Sequence, residues 1–368
     1  MDPDALQAEV DEWVRDGIIT EEQAEAILAR YDDGDDAGRS RTVLALSVVG
    51  SALVLVGVTL FLATNWDDLP MAGQIAVLLA GPGLAYAAGA TAYRRSVPRA
   101  GLALTLLGAA LAGPSLFLLA DLAAVTIDSV WILFAWTAIA LPTGHAIGSR
   151  VGTGFGLLVL AAVVLDLASP SDPPVPAALL GVALFCVAVA RTARVRWTYR
   201  VVGAAFVLTG TIALTRLDGR FEWFELEASA TLAALALGAI AGVVIAWWRA
   251  ERAEAAWATA ATVAVAVGTV AAVLAPEPIP NAAALAVVHL TALAAVAATG
   301  YYGYRTSSRA FVDVAAVGAL VQTLSFVAAT VVDALSGSIA LVVAGTILIV
   351  AGVALERGRR SVLATFGR

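Results

Sequence analysis

Two polar side chains stand alone in apolar surroundings. His289 follows the run Ala282 to Val288, and Gln322 follows Val314 to Val321, each inside a stretch long enough to cross a bilayer. A polar group in hydrocarbon is costly unless partnered, so such residues face a bundle interior. With the two segments placed at 281–302 and 310–332, His289 lies eight residues from the outer end of its span, about 12 Å deep. Gln322 lies twelve residues from the inner end of the next, about 18 Å up a core of roughly 30 Å. Consecutive antiparallel helices are neighbours, so the pair is expected at one depth, facing inward. The simplest outcome is an interhelical hydrogen bond of about 0.6–2 kcal/mol. The functional alternative is a polar, proton-linked site in which the imidazole titrates near physiological pH.

Other groups carry weaker chemistry. Asn65-Trp66-Asp67-Asp68 puts an amide, an indole and two carboxylates at the outer end of a span. The carboxylates suit a hard cation, although two are too few ligands to name a metal. The competing reading makes Trp66 an interfacial anchor and Asp68 a cap for the following helix. Pro82, Pro114 and Pro142 fall within three successive apolar segments and are candidate helix breaks. Broken helices expose backbone groups to substrates in transporters, whereas a simple kink needs no cavity. His145 is expected to meet water or headgroups at an inner interface. Asp313, four residues after Arg309, is expected to pair with it along one helix. The glycines from Gly152 to Gly156 form no nucleotide loop, because no strand precedes them.

One cysteine (Cys186) and two histidines remove disulfide frameworks, zinc clusters, iron–sulfur sites and repeated haem motifs. No Ser/His/Asp or Cys/His arrangement is recognisable. Catalytic, cofactor-binding and metal residues are therefore unassigned, no cofactor is expected, and the chain reads as a non-enzyme.

The elements that must position these residues are membrane helices. Hydrophobic residues make up 60% of the 368 and charged residues 14%, against about 25% charged in a soluble domain. Twelve apolar segments are expected, near 43–63, 72–92, 100–120, 129–148, 151–168, 175–190, 198–215, 228–248, 255–275, 281–302, 310–332 and 338–355. The predicted fold is an all-α polytopic bundle of about twelve transmembrane helices. All cations are arginine, and with both termini inside, 20 of the 22 fall on inner segments, leaving Arg216 and Arg220 outside. Aromatic residues sit at both sets of ends: Trp66, Trp131 and Trp223 outside, and Tyr93, Trp197, Tyr199, Trp247, Trp248, Tyr301, Tyr302 and Tyr304 inside. Gly152-x-x-x-Gly156 and Gly238-x-x-x-Gly242 suit close helix approach.

The N-terminal 41 residues differ, with 13 acids against four arginines. Pro3 opens a first helix over 3–16, Gly17 stops it, and Thr20 with Gln23 forms a capping box for a second helix bearing Ala24, Ile27, Leu28 and Tyr31. Trp13 is expected to pack on Ile27 or Leu28. The domain reading is 1–41, a cytoplasmic helical hairpin and acidic linker, then 42–368, the bundle with a short basic cytoplasmic C-terminus.

The order of hairpin, linker, Gly-rich first span and Phe61-Leu62-Ala63-Thr64-Asn65-Trp66-Asp67 resembles a prokaryotic membrane-protein family, domain of unknown function 2157, over about residues 1–150. The resemblance implies a fold and a membrane location and leaves activity open. The leading functional expectation is a transporter-like or channel-like carrier of an unknown small solute. The rival is a membrane sensor or scaffold whose acidic hairpin binds a cytoplasmic protein partner. The lipid bilayer is the constant partner, and no nucleic acid is expected.

Overall fold

A computed structural model describes residues 3–25, 53, 64–124, 126–168, 174–188, 193–216, 230–273, 282–328 and 337–366, and these are helices and turns without strands. The chain divides into two compact units, Met1–Ala76 and Val77–Arg368.

In the first unit, Pro3 opens α1 (Pro3–Arg15), at a position where its missing N–H has no helical partner to lose. Gly17, at φ 69°, ends the helix: its N–H donates to the Val14 carbonyl at 3.1 Å, and the Ile18 N–H to the Trp13 carbonyl at 2.9 Å. The capping box then forms, with the Thr20 N–H donating to Gln23 Oε1 at 3.0 Å and the Gln23 N–H to Thr20 Oγ1 at 3.3 Å. Val10 and Ala24 are the buried pair, with Trp13, Val14 and Ile19 around them. Trp13 thus packs on this pair; Ile27, Leu28 and Tyr31 lie outside the described residues.

The remaining helices are α2 (Met71–Arg94), α3 (Pro98–Leu122), α4 (Ser129–Ile147), α5 (Arg150–Ala168), α6 (Pro174–Val187) and α7 (Ala193–Ala213), which runs into a 3-10 turn, Leu214–Arg216. They continue as α8 (Ala230–Arg249), α9 (Arg252–Val273), α10 (Ala282–Arg305), α11 (Arg309–Val327) and α12 (Gly337–Thr365). Eight of the described helices, α2 to α5 and α8 to α11, are long and apolar enough to cross a membrane. Twelve spans are therefore not established. The segment 43–63 is outside the described residues except Leu53, and α6 has only 14 residues. The first two turns of α7 carry Arg194, Arg196 and Arg200, which shortens its apolar length. The 29 residues of α12 include the charged run from Glu356 to Arg360.

Three arginine-flanked turns share one geometry. After α2 the Val97 N–H donates to the Ala92 carbonyl, after α4 the Ser149 N–H to Gly144, and after α10 the Ser308 N–H to Gly303, at 2.9–3.1 Å. Each places a left-handed residue just before the donor: Ser96 at φ 61°, Gly148 at 67° and Ser307 at 49°. Such turns satisfy orphan carbonyls within a few residues and set the next helix antiparallel.

The three prolines do not break their helices. Pro82, Pro114 and Pro142 lie inside continuous α2, α3 and α4. A proline removes one backbone bond, and neighbouring groups can compensate in a membrane bundle. The carbonyl that Pro114 leaves without its helical donor is that of Ala110, and the Trp136 indole donates to the adjacent Ala109 carbonyl at 2.8 Å. Gly113 makes room for it, since a Cβ there would lie 2.2 Å from the Trp136 ring.

The main core joins α6, α7, α8, α9, α10 and α11. Helices α6 and α7 meet backbone to backbone: a Cβ on Gly181 would lie 2.5 Å from the Gly203 carbonyl oxygen, and one on Gly203 2.6 Å from that of Gly181. Of the sequence-read glycine pairs, Gly152 and Gly156 both serve close contacts with α4, whereas Gly242 meets Cys186 and Gly238 meets open space.

Candidate functional site

The helices α7, α10 and α11 converge on a buried polar layer. Gln322 and His289 are 1% and 4% exposed, and the Gln322 amide nitrogen donates to His289 Nδ1 at 2.8 Å. In this arrangement a neutral imidazole carries its proton on Nε2. Phe326 closes one side, its ring 5.2 Å from the imidazole and edge-on at 85°. Gln322 Oε1 is buried and has no hydrogen-bond partner among the described residues. An unsatisfied buried acceptor costs about 1–3 kcal/mol, so this amide is under pressure to find another donor.

One turn further along α11, Ser325 reaches α7. Thr215 Oγ1 lies 2.7 Å from Ser325 Oγ and donates to the Ile212 carbonyl at 2.6 Å. A hydroxyl has one proton, so Ser325 donates to Thr215. The 3-10 turn after α7 places Thr215 there. Thr211 and Thr291 are buried too and return their protons to helix carbonyls.

At the other end of α7 is a charged pair that the sequence reading missed. The Arg200 guanidinium of α7 donates to Glu254 Oε1 of α9, and the side chains are only 17% and 7% exposed. Glu254 sits in the first turn of its helix, close to Glu251 and Arg252, at a terminus of the kind where arginine predominates. That sign reversal was the available signal, because an acid near a span normally has a cationic partner. Arg200 Nε is buried without a partner among the described residues.

Aromatic packing separates the two ends. Phe185 stacks on Trp257 with centroids 3.9 Å apart, and Tyr302 meets Phe311 edge-on at 4.8 Å. The Trp257 indole donates to Thr299 Oγ1 at 3.1 Å. From His289 to Tyr302 is thirteen residues of α10, about 20 Å. The axis thus runs from a neutral polar layer through an aromatic one to an ion pair. Tyr302 and Tyr199, expected in an interfacial belt, are instead buried, while Trp248, Trp247, Tyr301 and Trp131 are exposed.

The structure places the other expected residues elsewhere. His145 is half-buried, with Nε2 3.2 Å from the Tyr199 hydroxyl and Nδ1 2.8 Å from the Leu141 carbonyl oxygen, so it ties α4 to α7 instead of facing only water or headgroups. Asp313 accepts from Arg359 Nε of α12 at 2.7 Å, and among the described residues its ion pair is with Arg359, not Arg309. Packing decides this, since α12 lies against α11 and brings Arg359 to Asp313.

In the first unit, Thr64 to Leu69 forms a turn leading into α2. Asn65 Nδ2 donates to Thr64 Oγ1 at 3.1 Å, and the Leu69 N–H to the Trp66 carbonyl at 3.2 Å. The link from helix to turn is Gln74, whose amide donates to the Trp66 carbonyl at 2.7 Å, while the Gly73 and Gln74 N–H groups go to the Pro70 carbonyl. Asp67 and Asp68 lie within this turn. Among the described residues no cluster of three or more His, Cys, Asp or Glu is arranged for a metal.

Residues 11–153 match the family described as predicted membrane protein, DUF2157. No curated protein and no solved structure matches the chain. The match takes in most of the hairpin, the Asn65–Asp68 turn and the helices through the first turn of α5. The DUF2157 match ends before α7, α9, α10 and α11, which carry the polar axis.

Proposed function

We propose that this multi-pass membrane protein is a transporter-like or channel-like carrier of a small solute, working along α7, α9, α10 and α11. The observation that carries the reading is the buried His289–Gln322 pair, with its unpartnered Gln322 carbonyl oxygen. Polar groups at such depth are costly and in membrane proteins mark ion and solute pathways. The Arg200–Glu254 pair at the far end of the same helices supports it, because the two polar ends with an aromatic layer between resemble two gates around a constriction. The apolar lipid-facing surfaces make the bilayer its standing partner, and no chemical transformation is required of it.

Protons are the probe to test first. The full chain in liposomes enclosing a pH-sensitive dye is expected to pass protons under an imposed potential, and His289→Leu is expected to reduce the rate at least tenfold. Equal rates in both proteins would remove His289 from the pathway. A rate no higher than that of empty liposomes would remove proton carriage altogether. Orientation belongs to the same reading: the arginine bias supports cytoplasmic N- and C-termini. A reporter active only outside the membrane, fused after Arg368, is expected to be silent.

A further inference from the structure

Away from the polar axis, two apolar grooves flank α11 and meet at one cluster of charges. The larger, about 410 Å³, runs between α7 and α11, with Leu208 and Ile212 on one wall and Val314 and Val321 on the other. The smaller, about 320 Å³, lies between α11 and α12 and is lined by Leu320 and Leu355. Asp313 and Val317 border both grooves. The stretch of α11 from Asp313 to Val321 spans about 12 Å. Each groove is therefore charged at the Asp313 end and apolar along the rest.

The charged end carries surplus positive charge. Arg359 Nε donates to Asp313 at 2.7 Å and Arg360 Nε to Glu356 at 2.6 Å, which neutralises both acids. Arg309, one turn before Asp313 on the same helix, is exposed, and so is Arg360. Val317 is 62% exposed and forms the ridge between the grooves. Two apolar channels astride one ridge, converging on a basic rim at a helix end, have the shape and polarity of a two-chain lipid.

We propose that this surface holds one anionic phospholipid, its two acyl chains on either side of α11 and its phosphate against Arg309 and Arg360. The arginines sit on the face that the charge bias assigns to the cytoplasm, where anionic headgroups attract basic residues. The inference depends on the chain spanning a membrane and is independent of solute carriage.

The test is thermal unfolding of the full chain in detergent with added lipid. Phosphatidylglycerol is expected to raise the midpoint by several degrees more than phosphatidylcholine with the same chains. Its single-chain lyso form is expected to do less, and glycerol 3-phosphate nothing. Val317→Trp, at an exposed position tolerant of bulk, sets an indole on the ridge that borders both grooves and is expected to reduce the difference. Arg309→Gln with Arg360→Gln is expected to bring phosphatidylglycerol down to the level of phosphatidylcholine. Equal shifts with both diacyl lipids overturn the proposal, as does an undiminished phosphatidylglycerol shift in Val317→Trp. A full shift with glycerol 3-phosphate would make the rim a plain phosphate site. A dimer in light scattering that Val317→Trp converts to monomer, with the lipid shift unchanged, would assign the grooves to a second copy.

Discussion

Helices α2 to α5 and helices α6 to α11 are built from much the same residues and hold together differently. In the first group the polar contacts come from half-buried side chains: the Trp136 indole is tethered to the Ala109 carbonyl, and the Tyr86 and Thr143 hydroxyls pair at 3.1 Å. In the second they are side-chain pairs in full burial, His289 with Gln322, Thr215 with Ser325 and Trp257 with Thr299. A tether to a carbonyl steadies a helix, since the backbone group is present whatever the side chains are. A buried side-chain pair exists only if two helices agree in depth and rotation. The second group therefore carries the chemical specificity, and it lies beyond the region with a family match.

The sharpest way to break this contrast is to empty each aromatic site. Trp257 is 3% exposed and stacked, so Trp257→Ala is expected to cost about 3–5 kcal/mol, while half-buried Trp136→Ala should cost clearly less. Unfolding in a graded detergent denaturant compares them, and equal losses would erase the distinction. Next in size is glycine replacement. Gly203→Ala drives a methyl into the α6 backbone and is expected to cost about 1–3 kcal/mol. Gly83→Ala in α2 meets nothing within 4 Å among the described residues and is expected to be neutral or stabilising by up to about 1 kcal/mol.

The polar layer calls for a double-mutant cycle. His289→Leu, Gln322→Leu and their combination are expected to yield a coupling of about 0.6–2 kcal/mol, and a value near zero would show that the pair contributes no mutual stability. The smallest effects belong to the turns both groups share. Ser96 and Ser307 hold left-handed backbone that costs a side-chain-bearing residue about 1–2 kcal/mol, partly offset by the greater entropy glycine loses on folding. Ser96→Gly and Ser307→Gly are each expected to stabilise by about 0.5–1 kcal/mol. Opposite signs at the two positions would show that the turns are not equivalent.

Much of this was legible before any coordinates. The helix ends follow the apolar segments to within a few residues from α2 to α11, because charges and turn residues mark where hydrocarbon stops. The capping box at Thr20 and Gln23 and the stop at Gly17 were readable because both depend on residues a few positions apart. His289 and Gln322 could be paired from depth alone, since rise per residue converts position into distance along a helix. The Arg200–Glu254 pair was missed because arginines were counted by segment and not by the side of the helix they occupy.

Residue order determined which stretches are helical, how long they are, and which end of each is charged, since those follow from local propensity and from the exclusion of charge from hydrocarbon. It also determined that a lone polar residue in a span would turn inward. Only the tertiary structure decided which faces meet. Tyr302 and Tyr301 are adjacent, yet one is buried in the aromatic layer and the other exposed. Asp313 passes over Arg309 on its own helix for Arg359 on another. Pro114 sits in an unbroken helix with a neighbouring indole bonded to the Ala109 carbonyl. The rotation of each helix about its axis is set by packing, through glycines such as Gly181 and Gly203 that let two backbones touch, and a rotation of a third of a turn exchanges core for surface without altering the local helix at all.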